Sequence, residues 1–327
     1  MRNNSSPRAL SPAILAIAIF LIVAVASVYA QDIFRLSAPP GAIYGNASFE
    51  QTTLVGVEIA VEHQGVAVPQ WFLGATAGGG TYADRRASRT SPDAELAYQL
   101  YPLLPDGETP VLAAPGAPTF SSANVITSNH FDTASATART EVYTVYFRIP
   151  QEQFKPSGTY TDMFELRLYE GDPADAGTHV LRHQATVSVT ARMARLVDLF
   201  AVQEPGIRTM DLTTQVTARL IATVHERSNA DTGYEVRITS ANLAADGSGA
   251  TGPFLAQTSG AANLPYTLTY DGIPAAGWTN GTAVVTDSAD TAGPDWLTRE
   301  LRISYDGSPA LAAGDYEDRL IITIVAP

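Results

Sequence analysis

The chain has 327 residues, 45% of them hydrophobic and 16% charged, with a formal net charge of −13 and no cysteine. This composition can fill real cores and excludes a disordered chain. The missing thiols exclude disulfide staples, cysteine nucleophiles and cysteine-ligated metal centres, and no basic stripe marks a nucleic-acid partner.

The N-terminus comes first. Arg2 and Arg8 precede the apolar run AILAIAIFLIVAVA, 13–26, and the small residues of SVYAQ follow. That order predicts a secretory signal over residues 1–30, cleaved after Ala26 or Ala30. An uncleaved anchor is the other reading, but the apolar run falls short of the ~18–20 residues a spanning helix needs.

Beyond the signal, the predicted elements are strands. TLVGVEIAVEH (53–63), EVYTVYFRI (141–149) and MFELRLY (163–169) are rich in β-branched and aromatic residues,. So are YEVRITSA (234–241), LTRELRISY (297–305) and RLIITIV (319–325). Gly, Pro, Asp and Asn clusters separate them. SPDAELAYQLY (91–101) is the one stretch read as holding a turn of helix. At about 150 residues per domain, the length predicts two domains. The cut falls near Ala191, giving 31–190 and 191–327. It lies within THVLRHQATVSVTARMARLVDLFAV (178–202), part of which is a strand that either closes the first domain or opens the second.

Several motifs carry no chemistry. Asp231–Gly233 reads DTG, but a second such loop is absent and a turn is expected. His179 and His183 have zinc spacing only on a helix; on a strand they stand roughly 13 Å apart. DGSGATG (246–252) lacks the ligand spacing of a calcium loop. No nucleophile elbow, phosphate loop or dinucleotide fingerprint occurs. No catalytic, cofactor-binding or metal-ligating set is therefore expected, and the chain reads as a non-enzyme.

A repeated phrase is more informative. PSGTYTDMFELRL (156–168) and AAGDYEDRLIITI (312–324) both read Gly-x-Tyr-x-Asp before an alternating apolar run. ELAYQLYPLLPDG, GGGTYADRRAS and TVYFRIPQEQFKPSGTYTDMFELRL together resemble the spore coat protein U domain, the pilin-like domain of archaic chaperone–usher pili. VHERSNADTGYEVRITSAN, LPYTLTYDG and AAGDYEDRLIITI resemble the same order of elements. The chain departs from many members in having no disulfide. The resemblance implies an all-β chain of two immunoglobulin-like β-sandwich domains.

Residues of equal parity share a strand face. Tyr160, Phe164, Leu166 and Leu168 therefore point one way, as do Tyr316, Leu320, Ile322 and Ile324. Asp162 and Asp318 share that parity, and an ionised carboxylate is costly in a core. They are expected at the rim, accepting backbone N–H groups from a turn, with Gly158 and Gly314 giving a tight entry.

The first domain has a further strand candidate, HQATVSVTA, after its copy of the phrase. The second has only RLIITIVAP, so its last strand is expected to be missing and a groove open along Tyr316, Leu320, Ile322 and Ile324. Filling it with four or five apolar side chains at ~1.5–3 kcal/mol each would contribute ~6–12 kcal/mol. The resemblance implies that a periplasmic chaperone fills the groove first and a neighbouring pilin subunit later, at an outer-membrane usher. QDIFRLSAPPGAIYGNASF (31–49) reads as no donor strand, which is the layout of a two-domain tip adhesin on a surface fimbrium. A secreted coat protein of the same fold, or a secreted carbohydrate-binding sandwich, are the alternatives. Tyr44, Leu103, Leu104 and Val111 are expected in or beside loops that would make an adhesive patch.

Overall fold

In the computed structural model the described residues are 32–37, 40–106, 109–118, 120–247, 249–288 and 295–326. The expected signal, 1–30, lies outside them.

The strands fall into two groups. The first comprises β1 (Ile33–Ser37), β2 (Ala42–Ala47), β3 (Thr53–Gly65), β4 (Trp71–Ala75), β5 (Arg85–Thr90), β6 (Asp93–Tyr101), β7 (Ile126–Thr127), β8 (Ser135–Ile149), β9 (Gly158–Glu170) and β10 (Val180–Met193). They pair in the order β1-β3-β8-β6-β5-β9-β10-β2, with β4 on β9 and β7 on β4. β6 turns the corner of the sandwich. Its early residues pair with β5, and Gln99–Tyr101 pair with β8.

The second group comprises β11 (Val197–Gln203), β12 (Val216–Ser228), β13 (Tyr234–Ser240), β14 (Phe254–Gln257), β15 (Asn263–Pro265), β16 (Thr267–Tyr270), β17 (Ile273–Pro274), β18 (Thr282–Ser288), β19 (Leu297–Tyr305), β20 (Tyr316–Glu317) and β21 (Leu320–Val325). Here the sheets are β11-β12-β19-β16-β17, β18-β13-β21 and β15-β14-β20. A short helix, α1 (Ala241–Ala245), follows β13 and is capped by the Ser240 hydroxyl, which accepts from Leu243 N,.

Alternation builds both cores. On β9, Tyr160, Phe164, Leu166 and Leu168 are buried while Thr161 and Met163 are exposed. β10 lays Val187, Val189, Ala191 and Met193 beside them, all buried. On the second side, Val236 and Ile238 of β13 face Val224 of β12 and Leu301 and Ile303 of β19 within one cluster.

Three sequence expectations change. SPDAELAYQLY contains a cis Ser91–Pro92 bond and then strand β6, with no helical turn. Its Leu96, Tyr98 and Leu100 are buried in alternation, so pairing with β5 and β8 overrides the helix propensity of Ala, Glu and Leu,. Residues 33–47 are not a lead-in to the sandwich. β1 pairs antiparallel with β3, and β2 pairs parallel with β10. The inward residues of β1 are Phe34 and Leu36, which pack on the core. Finally, the stretch 178–202 is divided: β10 runs to Met193 in the first group and β11 begins at Val197 in the second. The change of partner falls at 194–196, a few residues beyond Ala191.

Candidate functional site

The repeated phrase builds the same corner twice. The Tyr160 hydroxyl donates to the Pro156 carbonyl at 2.7 Å and the Tyr316 hydroxyl to the Ala312 carbonyl at 2.8 Å. Each is a tyrosine corner, a phenol tied back to the backbone just before its strand. Gly158 and Gly314 enter at φ of 134° and 148°, where an L side chain is strained. A Cβ would also fall 2.6 Å from Arg89 Nη1 at Gly158 and 2.8 Å from Gln257 Nε2 at Gly314. Arg89 and Gln257 hold equivalent places, donating to the Ser157 and Ala313 carbonyls respectively.

The two carboxylates match as well. Asp162 accepts from Gly79 N at 2.9 Å, in the glycine-rich turn, and from the Tyr98 hydroxyl at 2.6 Å. Asp318 accepts from Asn242 N at 3.1 Å, from the Ser240 hydroxyl at 2.6 Å and from the Tyr266 hydroxyl. Burial first, then the bond to the aspartate, pushes the Tyr98 and Tyr266 phenols well above the ordinary tyrosine range. They stay protonated donors. Asp162 and Asp318 are each used inside their own sandwich, so they form no joint acid–base pair.

The sandwiches diverge beside this corner. β9 has a strand on each flank: β10 along its whole length, and β4 and β5 on the other side. β21 pairs with β13, from Leu320↔Ser240 to Val325↔Glu235, and has no second strand neighbour among the described residues. Its inward Leu320, Ile322 and Ile324 are only half-buried. Across the gap, β11 is the edge of the facing sheet, and its Val197 and Leu199 are half-buried too. All five pack against the second core without being covered. A strip of apolar side chains beside free strand edges is a template for strand addition. Tyr316 sits on β20, paired with Gln257 of β14, with its hydroxyl on the corner, and is likewise half-buried against the second core.

A third feature, the junction, was missed in the sequence. Asn229, buried, accepts from Leu196 N at 2.6 Å and donates through Nδ2 to the Ala194 carbonyl at 2.9 Å. Its own carbonyl accepts from Ser157 N at 2.8 Å. Asp231 of the set-aside DTG turn takes Arg89 Nη2 at 2.8 Å, and that partner holds its carboxyl below the usual range. Arg227 lies over the rings of Phe49 and Trp296, at 5.4 and 4.5 Å. The first corner is thus covered by the second sandwich, whereas 312–315 at the second corner are exposed.

The expected adhesive residues are scattered. Leu103 and Leu104 follow β6 and are 68% and 60% exposed. Val111 is half-buried, its carbonyl accepting from Asn124 Nδ2 at 3.0 Å. Tyr44 is 70% exposed but stands within β2, registered with Thr190, because that segment forms a strand and not a loop. Trp71 and Phe72 are buried in β4. Behind the Leu103–Val111 loop lies Arg85, fully buried, whose guanidinium donates to the Thr76 and Leu112 carbonyls at 3.0 and 2.6 Å and to Gln99 at 2.9 Å. Burial lowers its pKa to about 10.

Residues 69–166 match the family model for the Spore Coat Protein U domain. That stretch runs from just before β4 into β9 and contains the first corner, Arg85 and the segment from Leu103 to Val111. No curated protein matches the chain. Among solved structures, it is similar to a chain of the CsuC–CsuE chaperone–tip adhesion subunit pre-assembly complex from archaic chaperone–usher Csu pili of Acinetobacter baumannii. Identity there is 10%, with 89% of this chain and 99% of that one covered and a TM-score of 0.42. The CfaE adhesin of CFA/I enterotoxigenic E. coli is 11% identical over 88% of this chain and 93% of its own, with a TM-score of 0.40. The CupB6 tip adhesin from Pseudomonas aeruginosa is 12% identical over 90% and 94%, with a TM-score of 0.38.

Proposed function

We propose that this chain is an exported, non-enzymatic subunit of a surface fibre that is completed by a strand from a partner, with the first sandwich, through β10, as the adhesive domain and the second, from β11, as the assembly domain. One observation carries the reading. Leu320, Ile322 and Ile324 are half-exposed beside an unpaired edge, whereas Val187, Val189, Ala191 and Met193 bury the corresponding side of the first sandwich. A donor strand laid on β21 would pair its free N–H and C=O groups and cover both β21 and β11. The partners are a periplasmic chaperone, then a neighbouring pilin subunit, delivered at an outer-membrane usher. β1 and β2 are built into the first sandwich, which suits a position at the tip. The Spore Coat Protein U match supports the same family of assemblies.

The test is expression of the exported chain alone and with a periplasmic pilus chaperone. The complex should be soluble and protect the β21 amides from hydrogen exchange, while the chain alone aggregates or is degraded. A stable, soluble monomer with no partner overturns the reading. Leu103 and Leu104 are the remaining candidates for adhesion, being exposed in the segment after β6. Changing both to Ser should reduce attachment to surfaces and leave assembly intact; unchanged attachment would remove them.

A further inference from the structure

Where β2, β9 and β10 reach the junction, a cavity of about 440 Å³ opens, lined by Asn46, Ser157, Gly158, Arg192, Arg195 and Asp231. Strand register builds one side of it. β10 lies between β9 and β2, and Arg192 is the partner of Thr159 on one flank and of Asn46 on the other. Paired residues share a sheet face and stand about 5 Å apart. Ala191 and Met193, on either side of Arg192 in the chain, are buried, so this row faces away from the first core. Thr159, Arg192 and Asn46 are all exposed. The second sandwich adds Asp231.

The polar groups here differ in how far they are already used. Asp231 is paired with Arg89 Nη2 at 2.8 Å and accepts from the Ser157 hydroxyl at 3.4 Å. Arg195 is held by the Ala326 carbonyl, which accepts from its Nη1 at 3.3 Å. The guanidinium of Arg192 and the side-chain amide of Asn46 make no hydrogen bond or ion pair among the described residues. With Arg89 and Asp231 as one neutral pair, Arg192 stands as an uncompensated cation. A free guanidinium is a planar fork that meets a carboxylate through two parallel N–H groups. The nearby Asp231 carboxylate disfavours a dianion, and its remaining lone pairs accept from hydroxyl groups. The volume lies within the ~300–1,000 Å³ of small-molecule sites, more than a bare inorganic anion fills, and domain interfaces are a preferred place for such sites.

We propose that this cavity binds a small sugar acid, its carboxylate on the Arg192 guanidinium and its hydroxyl groups on the Asn46 amide and Asp231. The site shares no residue with the β21 groove and does not depend on the fibre reading. Calorimetric titration uses the full-length chain in whichever soluble form it takes, alone or purified with a pilus chaperone, with the chaperone by itself as the blank. D-glucuronate should give saturable binding with a Kd of about 1 mM. D-glucose, the same ring without the carboxylate, should bind at least ~10-fold more weakly, a difference of about 1.4 kcal/mol. Arg192→Gln should weaken glucuronate ~5-fold or more with Tm unchanged. Arg192→Lys should recover only part of that loss, because a point charge replaces the fork, and Asn46→Ala should weaken binding less. Methyl β-D-glucuronide separates two sources of the ligand: equal affinity assigns the site to terminal uronates of a polysaccharide, and weaker binding to the free sugar acid. Sulfate or acetate bound as tightly as glucuronate, glucose bound equally, no saturation, or an Arg192→Gln chain that binds glucuronate unchanged overturns the proposal.

Discussion

The two sandwiches share a corner and differ in what stands next to it. In both, a tyrosine bonds the carbonyl four residues back, a glycine takes a conformation closed to other residues, and an aspartate holds a buried phenol from elsewhere in its sandwich. In the first, that strand is then sealed by β10, and its inward side chains are buried. In the second, β21 is left with β13 alone, and Leu320, Ile322 and Ile324 remain half-exposed. The contrast teaches that the corner sets where the strand begins and which face it buries. Completing the core is a separate task, done within the described chain once and, on the proposed function, by a partner the second time.

The largest effect should come from the strands themselves. Leu168→Ala in the sealed sandwich should cost ~2–5 kcal/mol in denaturant unfolding. Measured in the chaperone complex, Ile322→Ala should approach the Leu168 value, because a partner strand then buries the side chain. A cost under about 1 kcal/mol in the complex would mean that no strand covers β21.

The next comparison is between the corners. Tyr160→Phe and Tyr316→Phe should each lose ~0.5–1.5 kcal/mol, the buried Tyr160 more. Alkaline pH should act on both sandwiches alike. The Tyr98 and Tyr266 phenols are raised in the folded chain, so the unfolded chain loses its protons first. Their stabilising contribution is whole below pH ~10, the unfolded tyrosine value, and falls as pH rises beyond it. Tyr98→Phe and Tyr266→Phe should flatten that fall in circular-dichroism melts, and a single double-mutant transition would confirm that the two act in parallel.

The smallest effect belongs to the junction. Asp231→Asn should cost no more than about 1 kcal/mol, since the pair with Arg89 is partly solvated,. Its depressed carboxyl contributes above the unfolded value of ~3.9 and is lost as pH falls through the lower folded value,. Small-angle scattering should show the two sandwiches loosening at the acid end before either melts. No change in scattering would assign the alignment to Asn229 and Arg227 instead.

The strands were legible where β-branched and aromatic residues alternate over long runs, as in 53–63, 141–149 and 319–325, because burial on one face imposes that period. The corners were legible because Gly, Tyr and Asp each have a distinct backbone or side-chain role there. β6 was not, since Ala, Glu and Leu favour helix and only the pairing of Leu96, Tyr98 and Leu100 into the sheet decides otherwise. β1 and β2 were hidden for another reason: a short edge strand in each of two sheets leaves too few alternations to read. The junction has no local signature at all, because Arg89 and Asp231 are 142 residues apart.

The clamp of Asn229 on residues 194–196 has a mechanical consequence. Tension entering the first sandwich at its free pole runs down β10, which lies between β9 and β2 and is bonded to both. Pulling along it loads those ladders in shear, so many bonds must give together. The link to β11 is too short to act as a spring, and Asn229 ties both sides of it to the second sandwich. Load therefore passes onward nearly undiminished, and the element that carries it last is β11, the edge strand beside the open groove.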